Sequence, residues 1–312
     1  MIRVRNVSKT IWVRFESNFG PQYTRVPMVT DVSFDIPSRK MVCLVGLPGC
    51  GNFTLARLIG GQIRPDSGQV TFNGQNIIGI NQESWARCAQ FVLSTDKEEI
   101  LATYRTPLEF VSRSGSKRLD RQDLTGLKKV ASALKIGLDD WPWNFDMQCQ
   151  ARLELLRSIV TKPEIIILGE NAAKLSQGTL FDLIGNARAM LSSSFLIPTD
   201  DLGIALKHAD IVAMMWAGRI MELGSSNDIE SYAFVPFTRG WLSSLVVGTK
   251  ESGRVSQWEE LLVDGARRAI RGHVRGCSFH PVCPIAMDIC IRKQPVLTKV
   301  QDQHYVACHA HS

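Results

Sequence analysis

The sequence predicts an α/β fold built around a mostly parallel sheet, and three features lead to this prediction. Short apolar runs, of the kind that form strands buried on both faces, recur along the chain. Segments with helical periodicity separate these runs, and strands that alternate with helices favour parallel pairing. A glycine-rich turn joins the first run to a helical segment. The runs occupy residues 41–45, 164–168, 195–197 and 211–215.

The elements before and between these runs follow from their patterns. Ile2, Val4 and Val7 alternate with polar residues, and the stretch 29–36 repeats this alternation after a polar loop, so a pair of strands opens the domain. Residues 69–74 contain an Asn-Gly corner and predict a hairpin. Residues from about 95 to 160 carry helical patterning and predict a helical subdomain.

Length and composition are those of a globular protein of about two domains. The chain has 312 residues, of which 45% are hydrophobic and 21% are charged, which excludes disorder, collagen and coiled coil as overall descriptions. The apolar runs are far shorter than the ~20 residues that cross a bilayer, and no signal segment is recognisable, so we expect neither a membrane span nor secretion. The net charge of +6 comes without a block of like charges, which argues against a nucleic-acid partner.

The alternation of strands and helices stops at about residue 235, and the remaining chain is rich in Arg, His, Cys and Pro. We therefore expect a domain at 1–235 and a C-terminal extension at 236–312.

Four of the eight cysteines lie in this extension. In a chain without export signals, such a group indicates metal binding before disulfides. Four thiolates suit a tetrahedral zinc ion or a 4Fe–4S cluster, and because structural zinc sites usually take closely spaced pairs, the wide spacing favours the cluster. Four reduced thiols without metal remain the alternative. The candidate ligands are Cys277, Cys283, Cys290 and Cys308.

The same tail contains several histidines. We expect His304, His309 and His311 at the surface, and His280 as a hydrogen-bond donor beside the ligands. A short tail interrupted by prolines cannot build a large core, so we expect bound metal to supply most of its stability.

The glycine-rich turn, Gly46-Leu47-Pro48-Gly49-Cys50-Gly51, stands between a predicted strand and a predicted helix. Glycines in this arrangement let backbone N–H groups approach the phosphates of a nucleotide. Glycines also serve tight turns that bind nothing, so a plain strand-to-helix turn is the alternative.

Taken in order, these pieces resemble the nucleotide-binding subunits of ABC transporters, specifically the oligopeptide, dipeptide and nickel importer branch. The resemblance covers nearly the whole chain in collinear order. It implies an ABC-type P-loop nucleotide-binding domain that has a mixed sheet, an N-terminal antiparallel β portion and a helical subdomain at about 95–160, followed by a small Cys-rich extension. The segments that carry it include CLVGLPGCGNFTLARLIGGQIRPDSGQVTFNGQNI, RSIVTKPEIIIL, HADIVAMMWAGRIMELG and GCSFHPVCPIAMDIC.

The phosphate loop departs from the family pattern. That pattern, G-x-x-G-x-G-K-S/T, uses a Lys to reach phosphate oxygens and a hydroxyl to hold Mg²⁺. Here Asn52 stands at the Lys position and Phe53 at the hydroxyl position, while Thr54 comes one residue late. Asn cannot neutralise a triphosphate and Phe offers no oxygen to Mg²⁺, so we expect weak binding of ATP and Mg²⁺. The degenerate nucleotide-binding set is Gly46, Gly49, Gly51, Asn52 and Thr54.

Other catalytic positions of the family are replaced as well. Glu170 matches the general base, but Gly169 replaces the Asp that organises Mg²⁺, which leaves Glu170 a weak candidate for the catalytic residue. The positions of the remaining family motifs fall on Ile11 with Trp12 beside it, Ser94, residues 145–149, residues 173–176 and Asp200.

The resemblance implies a cytoplasmic-face, peripheral subunit of a peptide-type ABC importer with degenerate ATPase motifs and an iron–sulfur cluster in its tail. Its implied partners are a second ATPase subunit, two transmembrane permease subunits and, indirectly, an extracytoplasmic substrate-binding protein. The alternative is a soluble metal-cluster or regulatory protein that uses the fold without transport.

Overall fold

The computed structural model describes residues 1–17, 20–92, 106–112, 125, 127–128, 131–132, 136–139, 147–174, 177–247 and 274–311. The chain divides into two compact units. The first unit comprises residues 1–36, 41–78 and 198–312, and the second comprises residues 37–40 and 79–197.

The first unit opens with the predicted strand pair. The first two strands pair antiparallel along most of their length, and the third member of the sheet pairs with the first strand. The Asn73-Gly74 corner lies between Phe72 and Gln75, as the sequence predicts. The four-stranded sheet has the order β2-β1-β4-β5, with β1 at Ile2–Ser17, β2 at Gly20–Ile36, β4 at Ser67–Phe72 and β5 at Gln75–Asn76.

The second sheet of this unit is mixed. Strand β3 (Met41–Val45) pairs parallel with β9 (Ile211–Trp216), and β9 pairs antiparallel with β10 (Arg219–Ser225). All five residues of β3 are buried, which explains its uninterrupted apolar run. The C-terminal hairpin, β11 (Thr298–Gln301) and β12 (His304–Val306), continues the sheet because β12 pairs antiparallel with β10.

Helices of the first unit connect or cover these strands. The side chain of Asp201 accepts a hydrogen bond from the backbone N–H of Ile204 and so caps one of them. These helices are α1 (Asn52–Ile59), α6 (Leu202–His208), α7 (Ser226–Tyr232), α8 (Pro236–Val247) and α9 (Asp288–Arg292).

The second unit contains three parallel strands in the order β8-β7-β6. The described helices at 107–112 and 147–161 fall within the predicted helical subdomain, much of which lies outside the described residues. The strands are β6 (Ala89–Val92), β7 (Ile165–Leu168) and β8 (Ser194–Thr199), the last two residues of which belong to the first unit. The helices are α2 (Gln82–Cys88), α3 (Pro107–Ser112), α4 (Met147–Thr161) and α5 (Gln177–Met190).

The predicted α/β class, the mixed sheet and the N-terminal antiparallel portion are confirmed by this architecture. No helix within the described ranges has both the length and the apolar character needed to cross a bilayer. The division at residue 235 remains a prediction, and the described part of the extension packs within the first unit.

Candidate functional site

The glycine-rich loop follows β3 and leads into α1, as the sequence predicts. The N–H of Gly46 donates to the carbonyl oxygen of Thr199 over 3.1 Å, and the N–H of Cys50 donates to that of Leu47 over 2.9 Å. At its far end, the N–H of Gly218 donates to the carbonyl oxygen of Cys50 over 2.8 Å. One bond within the loop and two other segments of the first unit, at Thr199 and Gly218, therefore hold the loop in one shape.

Two of its glycines are required by space and by backbone conformation. Gly51 has a φ of 97°, and a Cβ there would lie 1.8 Å from the carbonyl oxygen of Met28. A Cβ at Gly46 would lie 2.3 Å from the Sγ of Cys50 and 2.7 Å from the carbonyl oxygen of Met215. Packing therefore requires glycine at positions 46 and 51, independently of any ligand.

Asn52, at the position where the family has Lys, is turned into the fold. Its side-chain Nδ2 donates to the carbonyl oxygens of Leu44 and Thr199, each over 3.3 Å. Its Oδ1 accepts from the N–H of Phe53 over 2.9 Å. The side chain is buried, so its hydrogen-bonding capacity is used to join the end of β3, the end of β8 and the start of α1.

The neighbouring side chains supply no phosphate-binding charge. Phe53 and Thr54 are half-buried on α1. Burial raises the pKa of the Cys50 thiol to about 12, and the charge of Asp200 acts in the same direction. Cys50 is therefore a protonated packing group at neutral pH, not a nucleophile.

Glu170 lies in the second unit, where it opens a short 3-10 helix, Glu170–Lys174, immediately after β7. The N–H of Gly169 donates to the carbonyl oxygen of Val92 over 2.8 Å, which fixes the end of the strand. Glu170 is half-buried. Beside it, Asn171 is buried, and neither polar atom of its side chain has a hydrogen-bond partner.

Several motif positions fall on residues without a description. Ser94 lies outside the described residues, as do Phe145, Asp146, Leu175 and Ser176. Among the other motif positions, Met147 and Gln148 begin α4, Cys149 is half-buried within it, and Ala173 and Lys174 end the 3-10 helix.

The four candidate metal ligands lie around one cavity in the first unit. Cys277, Cys283, Cys290 and Cys308 all line it, although they are spread over 32 positions of the chain. The structure brings the four together because the N–H of Cys277 donates to the carbonyl oxygen of Cys290 over 2.7 Å and because β12 leads directly to Cys308. The other lining residues include His280, His309, Met221 and Met287.

The thiols are electrostatically coupled. Burial raises the pKa of Cys277 to about 11, and the charges of the three other cysteines act in the same direction. Burial also raises the pKa of Cys283 and of Cys308, again with smaller contributions from neighbouring thiolates. Any metal that binds here must therefore displace protons.

Two histidines of the tail, His280 and His309, contact backbone carbonyl oxygens. His280 lies with Nδ1 2.9 Å from the carbonyl oxygen of Cys277, which is the position expected for a donor beside the ligands. His309 contacts the carbonyl oxygen of Lys293 through Nε2 at 2.8 Å.

Within the described part of the chain, no group of three or more His, Cys, Asp or Glu side chains is arranged to hold a metal ion.

His304 is not at the surface, and that expectation was wrong. It is completely buried, its Nε2 lies 2.9 Å from Oε1 of the equally buried Glu222, and its ring contacts Phe234. Glu222 also accepts hydrogen bonds from the N–H groups of Phe234 and Val235. The signal in the sequence is Glu222 itself, since one acid within an apolar strand needs a buried partner.

Comparisons with known proteins agree with this geometry. The ABC transporter family model matches residues 29–173. The chain is 25% identical over 325 residues to the oligopeptide transport ATP-binding protein AppF of Bacillus subtilis, an alignment that covers 100% of this chain and 98% of that protein. It is 26% identical over 315 residues to the oligopeptide transport ATP-binding protein OppF of Salmonella typhimurium, an alignment that covers 95% of this chain and 93% of that protein.

Solved structures share the fold. The structure of cbiO1 from Clostridium perfringens, part of the ABC transporter complex cbiONQ, superimposes with a TM-score of 0.60 at 16% identity and covers 83% of this chain and 98% of its own. The dimeric ATP-binding cassette MJ0796 with ADP and Pi superimposes with a TM-score of 0.57 at 15% identity. This superposition covers 72% of this chain and 99% of the other chain. Together the matches agree with the resemblance: the ABC transporter family model covers residues 29–173, and relatives named oligopeptide transport ATP-binding proteins align along nearly the whole chain.

Proposed function

We propose that this chain is a degenerate ATP-binding subunit of a peptide-type ABC importer, which completes the ATPase dimer and transmits its closure without turning over ATP itself. It would pair with a second ATPase subunit and contact two permease subunits at the cytoplasmic face of the inner membrane. An extracytoplasmic binding protein would supply the substrate. The similarity to oligopeptide transport ATP-binding proteins along the chain supports this assignment.

The observation that carries the degenerate part of the proposal is the placement of Asn52. In a working phosphate loop, a cationic side chain reaches the β and γ oxygens. Here the corresponding amide donates to Leu44 and Thr199 inside the protein, so no charge faces the loop from this position. Because electrostatic stabilisation of the transition state usually contributes most to such catalysis, its loss should remove most of the rate.

The test has two arms. Purified chain is mixed with MgATP, and phosphate release is compared with that of a no-protein blank and of Glu170→Gln. We expect no turnover above the blank, whereas turnover of about 1 per second that Glu170→Gln abolishes would contradict the proposal. In the second arm the chain is extracted in detergent from its own cells. Permease chains should co-purify with it, and their absence would favour a soluble regulatory protein.

We also infer that the tail holds a 4Fe–4S cluster at its four cysteines. The convergence of all four on one cavity supports this, because a cluster takes one thiolate on each of its four irons. A single zinc ion at the same four thiolates is the alternative. Bound at these thiolates, the cluster would supply cross-links between segments of the tail or a redox centre.

A further inference from the structure

The tail segment around α9 exposes a concentration of large apolar side chains. Of the eleven exposed large apolar side chains among the described residues, four lie at alternate positions of this one short segment. They are between 39% and 53% exposed. Exposed apolar side chains that cluster in this way usually mark an interaction surface. The four side chains, which we call the tail patch, are Ile285, Met287, Ile289 and Ile291.

The buried side of α9 determines which of its residues face solvent. Cys290, at the centre of the helix, is buried and lines the cysteine cavity. Successive residues of an α-helix are turned by about 100°, so Asp288 and Arg292 project away from the cavity. Ile289 and Ile291 lie on the two flanks of the helix between them. The outer surface of α9 therefore carries an acid, two isoleucines and a cation, in that order along its axis.

The two ends of this surface differ in charge. One acid stands at the start of α9 and three cations stand near its end, one of them placed there because the backbone of Gly276 packs against that of Ile291. All four are exposed, and none makes an ion pair or a side-chain hydrogen bond with any described residue. The surface is therefore a dipole whose charges are available to a partner. The acid is Asp288, and the cations are Arg275, Arg292 and Lys293.

The order of charged and apolar groups selects the occupant of this surface. An anionic lipid layer or an acidic protein would be bound best by cations alone. A dipole with apolar groups between its ends is instead complementary to a copy of itself that is turned by a two-fold rotation. We propose that the tail patch binds the tail patch of a second copy of this chain, with Asp288 of each copy opposite Arg292 of the other.

This pairing brings opposite charges together at both ends of the contact. At each end, one acid of one copy faces the group of three cations of the other, and the isoleucines of both copies lie between the two ends. Because Ile285 and Met287 also line the cysteine cavity, the second copy would shield that cavity from solvent. The contact requires neither nucleotide nor permease subunits.

The experiment measures self-association of the full chain, purified anaerobically and without nucleotide, by sedimentation equilibrium. A contact of this size gives a weak dimer, so the protein is studied from about 1 to 100 µM, where wild type should change from monomer to dimer. Ile289→Ser/Ile291→Ser should weaken association about tenfold or more, because each dimer loses four apolar side chains. Asp288→Arg and Arg292→Asp should each weaken association to a similar degree, because each places like charges opposite each other.

Mixing the two charge variants tests the pairing itself. Asp288→Arg presents cations at both positions and Arg292→Asp presents acids at both, so an equimolar mixture should associate although neither variant does so alone. The exchanged variant Asp288→Arg/Arg292→Asp should recover self-association, because both ends of its dimer again join opposite charges.

Matched controls make the same changes elsewhere. Ile78→Ser removes an exposed isoleucine and Arg64→Asp reverses an exposed arginine, so both should leave association within about twofold. Unfolding midpoints of all variants are measured in parallel to show that each is folded.

Three results would overturn the proposal. The first is equal association in test and control variants, and the second is a failure of the two charge variants to associate when mixed. The third is a wild type that stays monomeric throughout, which would leave an acidic protein as the partner of this surface. None of these results bears on the ATPase proposal, since no nucleotide is present.

Discussion

The Nε2 atom of His304 lies 2.9 Å from Oε1 of Glu222, and both side chains are completely buried. The contact joins β12 of the C-terminal tail to β10, over 82 positions of sequence. Glu222 also accepts the N–H groups of Phe234 and Val235, so one carboxylate links the strand, the start of α8 and the tail.

Replacing His304 should therefore destabilise the first unit strongly. His304→Ala leaves a buried carboxylate without one of its partners, and we expect a loss of about 3 kcal/mol in the free energy of unfolding. Urea denaturation measures it. His309→Ala removes a more exposed histidine of the same tail and should cost below about 1 kcal/mol. Equal effects of the two variants would contradict the assigned role.

The orientation of the Asn52 side-chain amide can be tested by substitution. Asn52→Asp keeps the shape but replaces the Nδ2 donor with an oxygen that faces the carbonyl oxygens of Leu44 and Thr199. It should destabilise the protein by about 2 to 3 kcal/mol, and more than Asn52→Ala does. If Asn52→Asp were the milder change in urea denaturation, the side chain could not be oriented as described.

Restoring the family residues should restore affinity for nucleotide. Asn52→Lys/Phe53→Ser returns a phosphate cation and a metal hydroxyl to the loop, so MgATP binding should tighten about tenfold or more. Equilibrium titration with a fluorescent ATP analogue measures this. Asn227→Lys adds the same charge on an exposed helix and should have no effect. An unchanged affinity in the double variant would mean that the loop does not cradle phosphate.

The cysteine cavity should hold iron. Anaerobically purified chain should be brown and contain about four irons per chain, and Cys283→Ser or Cys290→Ser should remove the colour. Cys88→Ser, at a cysteine outside the cavity, should keep it. One zinc with no iron would replace the cluster by a zinc site, and an absence of both metals would refute a metal in this tail.

Phe279 should anchor the tail independently of metal. Its buried ring contacts Trp216 with centroids 5.1 Å apart and Phe237 with centroids 5.6 Å apart. Phe279→Ala should cost about 3 to 5 kcal/mol and expose residues beyond 274 to proteolysis, whereas Phe279→Leu should cost below about 1.5 kcal/mol. Limited proteolysis of metal-depleted protein is the measurement. Rapid cleavage of the wild type under these conditions would restore metal as the main source of order.

Much of this arrangement could be predicted because local patterns carry it. The run from Met41 to Val45 is apolar at every position because β3 is buried on both faces, and the Asn73-Gly74 corner has one dominant use in hairpins. The succession of a strand, a glycine loop and a helix could be predicted for the same reason.

Long-range partners were not predictable. The burial of His304 depends on Glu222, and no local pattern indicates that two residues so far apart meet. The tail was expected to rely on metal because it is short and interrupted by prolines. That reasoning did not foresee that the ring of Phe279 packs against Phe237 and against Trp216, which lies outside the tail. The inward orientation of the Asn52 side chain could not be predicted either, because it depends on the positions of the carbonyl oxygens of Leu44 and Thr199.

The pairing of β12 with β10 also determines what a C-terminal truncation of the chain would expose. Residues Ile220–Gly224 of β10 are all buried, and β12 covers the side of that strand away from β9. Removing the tail would expose unpaired N–H and C=O groups on an apolar strand, which is the type of edge through which proteins aggregate. A version ending near residue 235 should therefore self-associate, so the tail is also a solubility element whatever it binds.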